Sequence, residues 1–303
     1  MKDGVFYCAV AAKRIEGRGR ILLYKSDDLF RWQFAGDLFG VDSKGVMIEC
    51  PDYNEELGYL LHCEQFQPSE NGLHLNIHTC RSTVGRIDYS SGSFVGDNSG
   101  IVDYGFDMYA PQTFAYSDVL VGWLNMWDRN VPSEKYGFAG MLTVPRRVSV
   151  ADGRLYQEPI VNIGETKVKD VSGFLADNVK IGVITIDATG LEALELRTRV
   201  GGDNYTELTL GDGEWVFDRS RSGEAIIGAE KDSDSLSGIR RMPYSGKENV
   251  TLTVVLDEFS IEIFEDGRAL SSTVYPPETA DGLTLKVKAK SCTYRHSVVC
   301  LKR

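Results

Sequence analysis

Residues 249–267 read NVTLTVVLDEFSIEIFEDG, and this stretch sets the fold class. Val250, Leu252, Val254 and Leu256 fall at every second position, and a second alternating run follows from Phe259. Asp-Glu separates the two runs and Glu-Asp-Gly closes the second. Period-2 alternation between turn residues is the pattern of adjacent half-buried strands. Alternating or short apolar runs recur outward from here: LEALELRTRV (191–200), NYTELTLG (204–211) and TLKVKAK (284–290), then VFYCAVAA (5–12), RILLYKS (20–26), GYLLHCEQF (58–66), HLNIHTC (74–80) and VLVGWLNMW (119–127). No sustained helical periodicity is present, and SDDLFRW (26–32) has room for one turn only. Many short strands with polar turns predict an all-β chain built as a sandwich, barrel or propeller.

The texture changes across residues 155–175. Before it, strands are separated by irregular stretches rich in aromatic and polar residues. After it, hairpins tighten, as at Gly211-Asp212-Gly213 and Glu265-Asp266-Gly267. NIGETKVKDVSG (162–173) reads as a connector, so a boundary is expected near residue 160, with domains over 1–160 and 161–303. The first half also carries a weak repeat of strand, turn and aromatic, in units of roughly 40–50 residues that suggest propeller blades. Its length supplies about three such units, whereas closed propellers have at least about four.

Lys plus Arg is 33 against 44 Asp plus Glu in 303 residues, a formal charge of −11. That balance argues against nucleic acid or anionic membrane as partner. No apolar run reaches the roughly 18 residues a membrane helix needs. MKDGVFYCAV shows no signal-peptide core, so reduced thiols are expected, which fits a cytoplasmic setting. Cys8, Cys50, Cys63, Cys80, Cys292 and Cys300 form no CxxC pair or zinc spacing, and only a Cys292–Cys300 hairpin bridge suggests itself. His74 and His78 sit four apart, but on an alternating segment, where they read as two ordinary strand histidines. No metal or cofactor is implied, and a polar small molecule fits best.

Three clusters have the composition of a carbohydrate site. Glu49, in VMIECPDY, ends an apolar run, where partial desolvation would suit a carboxyl group to proton donation. An ordinary strand-end glutamate has the same local sequence. YGFDMYAPQTF (104–114) interleaves Asp107, Tyr109 and Gln112 with aromatic rings. VGWLNMWDRN (121–130) places Trp123, Asn125 and Trp127 on one face by alternation. Flat rings suit the C–H face of a sugar, and amides and carboxylates suit its hydroxyls. Core packing explains the same patterns. Arg146 and Arg147 would hold carboxylates or face solvent.

Together these segments resemble the family 32 glycoside hydrolases, the invertases, inulinases and levanases. Glu49-Cys50-Pro51-Asp52 is similar to the family's ECPD, whose Glu is the general acid. GFDMYAPQ (105–112) resembles G-x-D-F-Y-A-x-Q with Met108 for Phe, and GWLNMW (122–127) resembles G-W-M-N-N-W with Met126 for Asn. MLTVPRRV (141–148) resembles M-T-L-P-R-E-L with Arg147 for Glu, and GRLYQEP (153–159) resembles the segment closing the catalytic domain. VFDRSRSG (216–223) and residues 254–276 resemble the C-terminal sandwich module.

The resemblance implies a five-bladed propeller, here incomplete at about three blades, followed by a β-sandwich. It implies Glu49 as general acid, with Cys50, Asp52, Asp107, Tyr109, Gln112, Trp123, Asn125 and Trp127 around a fructoside. The family's nucleophile lies in an N-D-P-N-G segment and a second Asp in R-D-P, and neither segment occurs here. Retaining hydrolysis needs two carboxyl groups about 5–5.5 Å apart. The chain is therefore expected to be inactive alone and to pair with itself or with a second chain supplying blades. A non-catalytic glycan-binding or structural role is the alternative.

Overall fold

The computed structural model describes residues 1–41, 46–66, 76–127, 129–228 and 238–300. Among these, every regular element is a strand except one 3₁₀ turn over Pro132–Tyr136. SDDLFRW forms no helical turn. The side chains of Ser26 and Asp28 take the backbone N–H groups of residues 28–31, which bends the chain instead.

Three antiparallel sheets come first. One holds β1 (Phe6–Lys13), β2 (Gly19–Ser26) and β3 (Gln33–Gly40) in that order. The next runs β4 (Met47–Asn54), β5 (Tyr59–Gln65), β6 (His78–Asp88), β7 (Ser93–Ile101). The third contains β8 (Met108–Thr113), β9 (Val119–Leu124), β10 (Met141–Leu142), β11 (Arg146–Ala151) and β12 (Arg154–Pro159), ordered β10-β9-β11-β12 with β8 also paired to β9. The first strand of the middle sheet, β4, lies beside both β1 and β8, so the sheets are arranged as propeller blades. Their faces pack through two apolar layers. Ile21, Leu23 and Leu38 meet Ile48 and Leu60 on one side of the middle sheet. Tyr59, Leu61, Cys63 and Cys80 meet Met108, Leu120, Leu124 and Val148 on the other. Strand β5 thus buries both faces, which is why GYLLHCEQF reads as a continuous apolar run rather than an alternating one.

Two six-stranded sheets follow and form the sandwich. One has the order β13 (Ile163–Asp170), β24 (Ser291–Val299), β15 (Gly182–Thr189), β20 (Asn249–Leu256), β21 (Ser260–Glu265), β22 (Arg268–Thr273). The other has β14 (Phe174–Asn178), β23 (Gly282–Lys288), β16 (Ala193–Gly201), β17 (Asn204–Gly211), β18 (Glu214–Asp218), β19 (Ile239–Pro243). Asp212-Gly213 and Asp266-Gly267 turn their hairpins with positive φ at both residues, as tight two-residue turns require. The stretch read as a connector is largely strand β13. It is an edge strand, exposed at nearly every position, so its sequence carries no apolar alternation.

Blades and sandwich join through buried polar contacts. Gly105 lets residues 104–106 run against β22, where Tyr104 and Phe106 N–H donate to the carbonyls of Ala269 and Ser271. A Cβ at Gly105 would come within 1.8 Å of the Ser271 oxygen. Arg146, fully buried, donates to Asp103, Glu262, Ser271 and Gln157 at 2.6–3.0 Å. Its neighbour Arg147 is exposed and pairs with Asp118. Both adjacent arginines thus pair with carboxylates, Arg146 in the interior and Arg147 at the surface.

All six cysteines are free thiols. Cys292 lies in β24 and Cys300 just beyond its end, so eight residues of extended chain, about 26 Å, separate them and exclude a hairpin bridge. His74 lies outside the described residues. No helix among the described residues is long and apolar enough to cross a membrane.

Candidate active site

Glu49 sits on β4, half-buried, and two donors fix one of its oxygens. Gln65 Nε2 donates to Oε2 at 2.6 Å, and the Tyr109 hydroxyl donates to the same atom at 3.1 Å. Both donors come from neighbouring strands, β5 and β8. Burial first, and then the neighbouring Cys63 and Glu49, push the Tyr109 phenol far above its ordinary value, so it stays a donor.

Matching irregularities place these groups. Cys50 has φ 48° and Ala110 φ 47°, both left-handed, and each marks a bulge. On β4 the pairing steps from Glu49↔Cys63 to Asp52↔Leu61. On β8 it steps from Tyr109↔Trp123 to Gln112↔Val121. Two residues thus face one on the partner, and the usual alternation is broken on both strands. Cross-strand partners share a sheet face, so each bulge re-aims the residue before it.

An aromatic wall adjoins the carboxyl group. Trp127 packs edge-on against Tyr109 with ring centroids 5.0 Å apart and lies parallel to Trp123 at 6.4 Å. His78 lies 4.5 Å from Trp127, and Phe66 lies 5.2 Å from His78. Trp127 remains 48% exposed. Strand β9 ends at Leu124, so Asn125 and Trp127 lie beyond it and are not strand-alternating residues as the sequence suggests. The Asn125 side chain turns back to accept from the Met126 N–H at 2.8 Å.

Several residues grouped with Glu49 by sequence have other partners. Asp52 accepts from the Thr113 N–H and hydroxyl at 2.7 and 2.6 Å, tying β4 to β8. Gln112 is exposed, and its amide donates to the preceding Pro111 carbonyl. Asp107 is buried at the sandwich. Its Oδ1 accepts from Arg129, and its Oδ2 from Arg219 and from the N–H and hydroxyl of Thr273, all at 2.7–2.9 Å. Burial alone would raise this carboxyl, but Arg219 and Arg129 outweigh it and hold the group below its ordinary value. Burial in turn lowers Arg219 to about 10 against the pull of Asp107. The sequence reading missed Gln65 and the stacking role of His78. A Gln ending the strand paired with that of Glu49 was the available signal for the first.

Among the described residues, no second carboxylate joins the hydrogen bonds around Glu49. None of them forms a group of three or more His, Cys, Asp or Glu side chains arranged to hold a metal ion. A cleft of about 620 Å³ lies elsewhere, between Tyr156 and the sandwich face of Thr251 and Phe264, and Glu49 does not line it.

The N-terminal domain model of glycosyl hydrolases family 32 matches residues 1–159, and the C-terminal model of that family matches residues 166–299. The chain belongs to glycosyl hydrolase family 32. A sucrose-6-phosphate hydrolase from Staphylococcus xylosus is 32% identical over 93% of this chain and 60% of its own length. A raffinose invertase from Escherichia coli is 29% identical over 94% of this chain and 62% of its own length. This chain thus spans about 60% of the length of the curated relatives it matches. The fold agrees with a solved sucrose-6-phosphate hydrolase from Lactobacillus gasseri, with TM-score 0.85 at 20% identity over 98% of this chain and 64% of the other. It also agrees with a Bombyx mori β-fructofuranosidase, with TM-score 0.80 at 24% identity, over 100% of this chain and 64% of the other. The family is that of a glycosidase, and the fold is that of its propeller and sandwich.

Proposed function

We propose that this chain carries the proton-donating half of a retaining β-fructoside hydrolase site, with Glu49 as general acid. One observation carries the reading. Gln65 and Tyr109 both donate to Oε2, which leaves Oε1 to carry the proton and present it to a glycosidic oxygen. Trp127 and Trp123 supply the wall for the sugar ring, and Tyr109 positions the acid. Asp107 serves the domain junction, and Asp52 holds two blades together. Sucrose-type fructosides are the substrate class that the relatives' names support.

The opposing carboxylate is the missing half. Asp52, Asp103 and Asp107 are committed to Thr113, Arg146 and Arg219 respectively. A single carboxyl group cannot run double displacement. The chain alone is therefore expected to leave sucrose, sucrose 6-phosphate, inulin and levan intact in a reducing-sugar assay. Robust turnover that disappears in Glu49→Gln would show that a nucleophile is present and overturn the half-site reading. A second polypeptide carrying the opposing carboxylate would complete the site. The first sheet exposes Phe34 (59%), and the bend between β2 and β3 exposes Phe30 (89%), apolar surface that such a partner would cover. Sedimentation of a stable monomer at micromolar concentration would contradict this.

Binding without cleavage is the second reading, favoured by the exposure of Trp127 beside Tyr109 and Trp123. Fructose or a short fructan should raise the melting temperature, and Trp127→Ala should abolish that rise. An equal rise in the variant would remove Trp127 from the sugar site.

A further inference from the structure

Three thiols lie close to Glu49. Cys63 is the cross-strand partner of Glu49, and Cys80 is the cross-strand partner of Cys63. The sulfurs of Cys63 and Cys80 lie 3.3 Å apart, and both residues are almost fully buried. Cys50, half-buried at the bulge after Glu49, packs against the apolar layer that holds Cys63 and Cys80. The cluster touches the acid site at two further points. The Ala110 N–H reaches Cys63, and the Cys80 thiol donates to the carbonyl of Met108, next to Tyr109, at 3.5 Å.

Residues directly opposite on antiparallel strands have Cα atoms about 4.5–5.5 Å apart, within the span of a disulfide. Small side-chain rotations would bring the two sulfurs from contact to a bond. Thiols buried only as small apolar groups need not face one another. Here the Cys63 and Cys80 sulfurs face one another, and the half-buried Cys50 packs against the same layer.

We propose that Cys50, Cys63 and Cys80 form an oxidisable relay, entered by a hydroperoxide at Cys50 and ending in a Cys63–Cys80 disulfide. The Cys50 sulfur attacks one peroxide oxygen, the O–O bond breaks, and the thiol proton leaves with the alkoxide as an alcohol, or as water from hydrogen peroxide. The Cys63 sulfur then attacks the sulfenic sulfur. A Cys50–Cys63 bond forms, the S–O bond breaks, and the departing hydroxide takes the Cys63 proton as water. Finally the Cys80 sulfur attacks Cys63, which releases Cys50 as a thiol carrying the Cys80 proton. Two thiols have lost two electrons and two protons, and the peroxide has gained them. Contact with Cys63 first, and burial second, hold the Cys50 thiol well above its ordinary value, so the relay runs slowly, over minutes to hours. Its end state removes the Cys80 donor from the Met108 carbonyl beside Tyr109. The relay does not depend on Glu49 acting as an acid.

The test uses the full reduced chain treated with hydrogen peroxide, then unfolded, alkylated and digested without reductant. Mass spectrometry should find the peptides containing Cys63 and Cys80 joined, with Cys50 alkylated. Cys50→Ser, and separately Cys50→Ala, should slow that crosslink at least about tenfold, whereas Cys8→Ser should not change it. If Cys63 and Cys80 are both alkylated after Cys8 and Cys300 are fully oxidised, the disulfide is overturned. If the crosslink forms at the parent rate in folded Cys50 variants, the entry through Cys50 is overturned.

Discussion

Glu49→Gln is expected to lower sucrose hydrolysis by about 10²–10⁴-fold, the usual range for losing a positioned general acid. The measurement requires the site to be completed, by mixing this chain with the part of a longer relative that it does not match. The amide keeps the size of the side chain and its contacts with Gln65 and Tyr109 but has no proton to give. Substrate affinity should change little, because the sugar wall of Trp123 and Trp127 is untouched. The discriminating substrate is an activated fructoside with a nitrophenolate leaving group, which needs little protonation. The variant should cleave it at a rate close to that of the parent. Equal losses on both substrates would mean that Glu49 contributes charge or structure rather than a proton.

Asp107→Ala should be the most damaging single change to stability, at about 3–5 kcal/mol, because it strands buried arginines without their carboxylate. Arg219 and Arg129 are both nearly inaccessible and both meet Asp107 at 2.9 Å. The loss should appear as a lower denaturant midpoint. It should also depend on pH. The folded pKa of Asp107 is depressed, so its contribution is fully present above the ordinary carboxyl value of 3.8 and fades as pH falls through the lower folded value. The difference between parent and variant should therefore narrow below about pH 4. A difference that is constant from pH 7 to pH 3, or a loss under about 1 kcal/mol, would show that the pair is not held ionised.

The Asp107 contacts also show where reading by sequence stops. Its partners Arg219 and Thr273 lie 112 and 166 residues further along the chain. Nothing local to GFDMYAPQ announces them, and an Asp among aromatics reads equally well as a sugar ligand.

The sequence by itself determined the all-β class, from alternation and turn residues, and it determined the family, from five short segments in a fixed order. Those features are local, since alternation selects a strand's face within a few residues. Which neighbour covers that face is not local. Tertiary structure alone brought Gln65 and Tyr109 onto one oxygen of Glu49, set His78 against Trp127, and sent Arg146 inward and Arg147 outward. It also turned the exposed NIGETKVKDVSG stretch into an edge strand. The bulges at Cys50 and Ala110 show the reason most directly. One extra residue in each strand cancels the period-2 rule where the site is built, and only the register of the neighbouring strands reveals which side chains then share a face.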